Sequence, residues 1–191
     1  MKARIQIAAF YILIIILGGC VPSLHPLFTE NELVFDANLI GKWSEPNSSE
    51  YWQFSAAANN KYDVIYKDEQ GIGKFDGLLG KIGNETFLDL FPKDINLPGN
   101  DFYKAHLLGA HIFLKINLQS NGLSLLAMNP ENMDKLLTQD PNAIKNEKAN
   151  GRTVLTASTK ELQYFIRRYS NDPNANIYGK FEETKLLKKV Q

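Results

Sequence analysis

Residues 72–91 read IGKFDGLLGKIGNETFLDLF, and the fold turns on how they pair. Apolar residues alternate on both sides of Gly83-Asn84, a dipeptide suited to a two-residue type II′ hairpin loop because glycine takes the first loop position at no steric cost. That loop sets Leu79 opposite Leu88 and Gly77 opposite Leu90, on a face shared with Phe75 that should point into a core. Asp76, Leu78, Gly80, Phe87, Asp89 and Phe91 then fall on the other face, expected to look outward, with Phe87 covering the bare backbone of Gly80. Glycines at 71, 73, 77, 80 and 83 crowd the hairpin, and glycine inside a strand marks bulges and bends, so the sheet should coil strongly.

The same pattern extends on both sides. Short runs rich in Val, Ile, Tyr, Phe and Trp predict strands near 40–45, 50–55, 61–67, 72–82, 85–91, 103–108, 111–120 and 123–129. Asn121-Gly122 predicts a hairpin with Leu118 facing Leu125 and Ile116 facing Ala127. Beyond the sheet, Met133, Leu136 and Leu137 have helical spacing, and a polar, Asn- and Lys-containing loop is expected from Gln139 to Gly151. Ser158-Thr159-Lys160-Glu161 has the form of a capping box. After it, Leu162, Phe165, Ile166 and Tyr169 make one apolar helical stripe. Asn171-Asp172-Pro173-Asn174 stops that helix, and Ile177 to Leu187 offers a last strand. The fold class expected is mostly β: a coiled antiparallel meander with one or two helices packed on it near the C-terminus.

The chain begins with Lys2 and Arg4, then eleven apolar residues from Ile7 to Leu17, too few to span a bilayer as a helix. Leu17-Gly18-Gly19-Cys20 follows, and this stretch resembles the lipobox of bacterial lipoproteins. The resemblance implies cleavage of a signal peptide, residues 1–19, and acylation of Cys20, the lone cysteine. Two or three acyl chains hold a protein on a membrane essentially permanently. Val21 follows Cys20 where an Asp would retain the protein at the inner membrane, so the implied location is the outer membrane, facing the periplasm. Residues 20–38 carry Pro22, Leu24, Leu27, Phe28, Leu33 and Phe35 in place of a Gly/Ser tether, so this anchored segment should dock on the domain formed by 39–191. Thr29-Glu30-Asn31-Glu32 predicts a capped helical turn within it. Without Lys2 and Arg4, 19 basic residues stand against 21 acidic ones, a balance that argues against nucleic acid as partner.

Gly41-Lys42-Trp43 resembles the Gly-x-Trp entry to the first strand of lipocalin-like barrels. What this implies is a barrel enclosing a cavity for a small hydrophobic ligand, lined by Trp52, Phe54, Tyr62 and Phe75. The chain departs from that pattern in lacking a Thr-Asp-Tyr-like second motif, a disulfide, and an Arg on the last strand to stack on Trp43. The preferred reading is a filled interior, because Leu, Ile and Phe fill the expected inward positions and small barrels pack shut. The domain would then be a structural or protein-binding adaptor that meets an envelope protein through Phe87 and Phe91.

Catalytic signals are thin. His25, His106 and His111 lack metal-ligand spacing, and no cofactor or metal motif is present. Asp76 and Asp89 are diagonal neighbours in the hairpin register, within the range of paired carboxylates, but both are expected in solvent. No Gly-x-Ser-x-Gly elbow nominates a nucleophile, so an enzyme is not expected.

Overall fold

The computed structural model describes residues 19–93, 99–104 and 106–190. The expected signal peptide, apart from Gly19, lies outside the described residues. Among them are eleven strands in one sheet and three α-helices. Strands β2 (Gly41–Ser44), β3 (Tyr51–Ala56), β4 (Lys61–Lys67), β5 (Ile72–Ile82), β6 (Glu85–Pro92), β7 (His111–Gln119) and β8 (Gly122–Ala127) form the expected antiparallel meander. The Gly83-Asn84 hairpin has the predicted register, Leu79 opposite Leu88 and Gly77 opposite Leu90, with φ +64° at Gly83.

The β7–β8 hairpin is shifted by two residues from expectation, so that Leu118 faces Leu123 and Ile116 faces Leu125. Ser120 and Asn121 make the loop, and Gly122 is a strand residue paired with Gln119. Its lack of a side chain serves a close approach: a Cβ there would sit 2.5 Å from the Leu187 carbonyl oxygen. The Asn-Gly loop with positive φ at both positions is Asn150-Gly151, at +51° and +76°. It joins β9 (Asn146–Ala149) to β10 (Arg152–Leu155), where the sequence suggested only a loop.

The N-terminal segment is part of the fold. Pro22–Ser23 forms β1, antiparallel to the start of β7 and parallel to β10. Helix α1 (Asp101–Lys104) stands within the span predicted as a strand at 103–108, because Asn100 Oδ1 accepts the Tyr103 N–H at 2.8 Å and starts a helical turn. Helix α2 (Pro130–Gln139) buries Met133 and Leu136, and α3 (Thr159–Tyr169) buries Leu162, Phe165, Ile166 and Tyr169, the predicted stripe. The final strand, β11, is only Lys188–Val190, on the free edge of β2. A 3₁₀ turn at Phe181–Glu183 occupies much of the span expected to be strand.

The sheet is strongly coiled but not closed into a barrel. Its edges meet at one isolated bridge, Leu123 with Leu187, whose N–H groups donate to each other's carbonyls at 2.9 and 2.8 Å. With β11 three residues long, the returning chain supplies that bridge and no continuous ladder to β8.

Two hydrophobic cores result. Inside the coil, Leu39, Trp43, Phe54, Tyr62, Leu79, Leu88, Leu114 and Leu123 pack together. The opposite face of β5–β7 is covered as well: Val21, Leu27 and Phe28 of the N-terminal segment join Met133, the α3 stripe, Ile177 and Tyr178 over Phe87 and Phe113. The expectation that Phe87, Asp89 and their neighbours face solvent is therefore corrected, since Phe87 and Asp89 are fully buried. The notch left by Gly80 is filled by the Phe28 ring, which a Cβ at Gly80 would approach to 2.5 Å.

Candidate functional site

One end of the coiled sheet opens into a groove of about 580 Å³. Its inner wall is the segment that follows the 3₁₀ turn Glu30–Glu32, where Thr29 N–H donates to Glu32 Oε2 at 2.8 Å in the predicted capping box. Val34 N–H donates to the Leu79 carbonyl at 2.9 Å, which ties the segment to β5. The Asp36 N–H donates to Tyr62 Oη at 2.6 Å, the Tyr62 hydroxyl donates back to the Asp36 carbonyl at 3.2 Å, and Phe35 stacks on the Tyr62 ring at 5.1 Å. Tyr62 thus positions one wall of the groove from inside the core. Burial raises the pKa of its phenol, so it remains a neutral donor.

The groove floor is built from Val34, Leu39, Leu79, Ile116 and Leu118, of which Leu39 and Leu79 are almost fully buried, and its rim carries the carboxylates Asp36 and Glu85 beside Lys81, Asn84, Thr86 and Asn117. Lys115 also lines it but is neutralised. Its buried ammonium pairs with Glu85 and donates to Asn171 Oδ1 at 2.8 Å and the Ser170 carbonyl at 3.3 Å, and Ser170 Oγ donates to Glu85 Oε2 at 2.6 Å. Lys81 lines the rim, is exposed and takes part in none of the ion pairs described. A polar-rimmed apolar floor of this volume suits one small amphipathic molecule.

A second polar cluster lies under the N-terminal segment. Asp89, fully buried, has Oδ1 2.8 Å from His111 Nδ1, and its Oδ2 accepts the Leu27 N–H at 2.8 Å. The Tyr178 hydroxyl is buried with no hydrogen-bond partner among the described residues, 5.7 Å separating its ring from Phe87. Burial, reinforced by Glu85 and Asp89, pushes the phenol pKa far up. This cluster holds the segment to the sheet: Asp89 joins two elements 62 residues apart in sequence.

The residues expected to line a ligand cavity do not line the groove. Phe54 and Tyr62 are fully buried in the inner core, their rings edge to face at 6.4 Å. Phe75 is half-buried against that core, and Trp52 stacks on Tyr66 at 4.5 Å beside a smaller recess of about 230 Å³ at the other end. Of the expected docking pair, Phe87 is buried and Phe91 is half-buried against His111 at 4.6 Å, so neither forms an exposed patch. Asp76 and Asp89 do not act together: Asp76 pairs with Lys93 at 3.1 Å while Asp89 faces His111. His106 is exposed, and among the described residues no cluster of metal ligands occurs. Cys20 is exposed, two residues ahead of β1. Among the described residues no helix is long and apolar enough to cross a membrane.

One residue went unrecognised in the sequence. Lys189 of β11 places its ammonium 5.3 Å from the centre of the Trp43 ring and donates to the Asn38 carbonyl at 3.2 Å. A lysine, and not an arginine, thus faces the Trp43 ring from the last strand. The pairing of Lys189 with Trp43 across β11 and β2 carried no local signal. Comparison with family models, with characterised proteins and with solved structures found no match to this chain.

Proposed function

We propose that this chain is an envelope lipoprotein, acylated at Cys20 and held on the periplasmic face of the outer membrane, whose domain is a non-enzymatic binding module. It takes one small amphipathic molecule, with a single apolar chain and an anionic head, in the groove at the end of a lipocalin-like coiled sheet. The observation that carries this is the groove itself, an apolar floor of Leu79, Ile116 and Leu118 under a rim that carries Lys81. The Lys189–Trp43 contact and the Leu123–Leu187 bridge support the lipocalin-like reading of an incompletely closed barrel.

The test uses a fluorescent fatty acid with the purified protein, and native mass spectrometry for co-purifying ligand. Leu118→Trp, which fills the groove, and Lys81→Ala, which removes the rim cation, should each weaken probe binding while leaving the unfolding midpoint nearly unchanged. Saturable binding that ignores both substitutions, or no binding at all, overturns the reading.

A second reading, a protein-binding or structural adaptor, is favoured by a separate surface groove of about 810 Å³ between α3 and residues 141–147, beside an exposed Tyr164. Loss of cross-linking to envelope proteins on Tyr164→Ser, with probe binding intact, would support it.

A further inference from the structure

The β6–β7 connection presents large apolar side chains to solvent. Phe102 is 79% exposed, Tyr103 56% and Leu108 80%, within seven residues. The backbone around them is internally bonded. Lys104 N–H donates to the Asn100 carbonyl at 3.1 Å, Leu107 N–H to the Lys104 carbonyl at 3.0 Å, and His106 Nδ1 lies 2.7 Å from the Phe102 carbonyl. Folding this short turn therefore consumes its polar groups and displays its apolar ones. Water is a poor partner for such a surface, and an aromatic pair that includes a tyrosine fits the layer between hydrocarbon and headgroups.

Its place in the fold says what covers it. The connection runs directly into β7, whose first residue, His111, pairs with Ser23 of β1, three residues after Cys20. Leu24, four residues after Cys20, is itself 46% exposed and adds an apolar side chain close along the chain to the anchor. Consecutive Cα atoms are about 3.8 Å apart and paired strands about 5 Å, so Leu108 stands no more than about 28 Å from Cys20. Only Asp101 and Lys104 carry full charge among the described residues from 99 to 108, and they oppose each other in sign.

We propose that Leu24, Phe102, Tyr103 and Leu108 form the face that rests in the phospholipid bilayer, orienting the domain on its anchor. The inference rests on Cys20 as the attachment point and adds to it a second, non-covalent contact. It places Phe102, Tyr103 and Leu108, and not α3, against the membrane.

The full chain, expressed in a bacterial host, tests this with p-benzoylphenylalanine in place of Phe102 or Leu108, and in place of Tyr164 and Ile72 as exposed controls. After irradiation of intact envelopes, Phe102 and Leu108 should yield phospholipid adducts several-fold above the two controls. Adducts to protein only, equal lipid labelling at all four positions, or none at Phe102 and Leu108 overturn the proposal. Mass analysis of Cys20 in the same samples separates the two readings. An acylated Cys20 without lipid adducts at Phe102 and Leu108 sinks the membrane face and leaves the anchor. Lipid adducts at those positions with an unmodified Cys20 support the face and sink the anchor. All four substituted positions are exposed, so limited proteolysis should show a fold like that of the unsubstituted chain.

Discussion

Phe87→Ala distinguishes a two-layered domain from a sheet with one wet face. Phe87 is 0% exposed, in a core formed by Phe28, Tyr178 and the α3 stripe, and its ring centre is 5.7 Å from that of Tyr178. Removing the ring forfeits its transfer from water and leaves a cavity that close-packed neighbours on two elements cannot close, a loss of about 3–5 kcal/mol. Against a whole-domain stability of roughly 5–15 kcal/mol, that is about a fifth of the total or more. With a urea m-value near 2 kcal/mol/M, the midpoint should fall by about 2 M. Ile72→Ala, at a residue 60% exposed, supplies the control and should shift stability by no more than about 0.5 kcal/mol. Equilibrium urea unfolding of a chain beginning at residue 20, followed by circular dichroism, reads both. A loss below about 1 kcal/mol for Phe87→Ala would mean that this face is wet, and the docking of the N-terminal segment and α3 would be wrong with it.

Three further outcomes follow from the same packing. A chain that begins at Thr29 should unfold in less urea than one beginning at residue 20, because it lacks the buried Val21, Leu27 and Phe28 and leaves Asp89 Oδ2 without the Leu27 N–H; equal midpoints would show that the segment is only a tether. Gly122→Val should break the Leu123–Leu187 bridge, since the added Cβ meets the Leu187 carbonyl at 2.5 Å, and hydrogen exchange at the Leu123 and Leu187 amides should accelerate selectively; unchanged protection there would refute the close approach. The Glu161 carboxyl is lowered from 4.5 to about 2 in the folded protein, by Lys145 first and then by Ser158 at the start of α3. Its contribution is therefore present above pH 4.5 and disappears as the pH falls through about 2, so the stability difference between the native chain and Glu161→Gln should shrink across that window. A difference constant from pH 5 to pH 2 would exclude the carboxylate as its source.

What was legible in the sequence was local. The Gly83-Asn84 loop fixed its own register, and the Ser158 capping box with its four-residue stripe fixed α3, because each signal lies within a dozen residues. The failures share one cause, the dependence of a residue's surroundings on elements far along the chain. Phe87-Leu88-Asp89-Leu90-Phe91 is nearly all apolar, and a strand buried on both faces reads in that way. Asp89 broke the run and made the alternate reading, with one wet face, look sound. A carboxylate tolerates full burial only with partners, and here they are the His111 ring 22 residues away and the Leu27 amide 62 residues away, neither signalled near position 89. The two Asn-Gly pairs make the same point about turns. Both satisfy the local rule for a hairpin loop, but only Asn150-Gly151 serves as one, because at Gly122 the missing side chain is used to pass the Leu187 carbonyl. The groove was illegible for the same reason: residues 34–39 line it together with β5 and β7, and they are held there by the Val34–Leu79 and Tyr62–Asp36 hydrogen bonds, the latter across 26 residues. Aromatic positions on strands, read alone, nominate a core; which apolar surface stays open depends on the segment that fails to cover it.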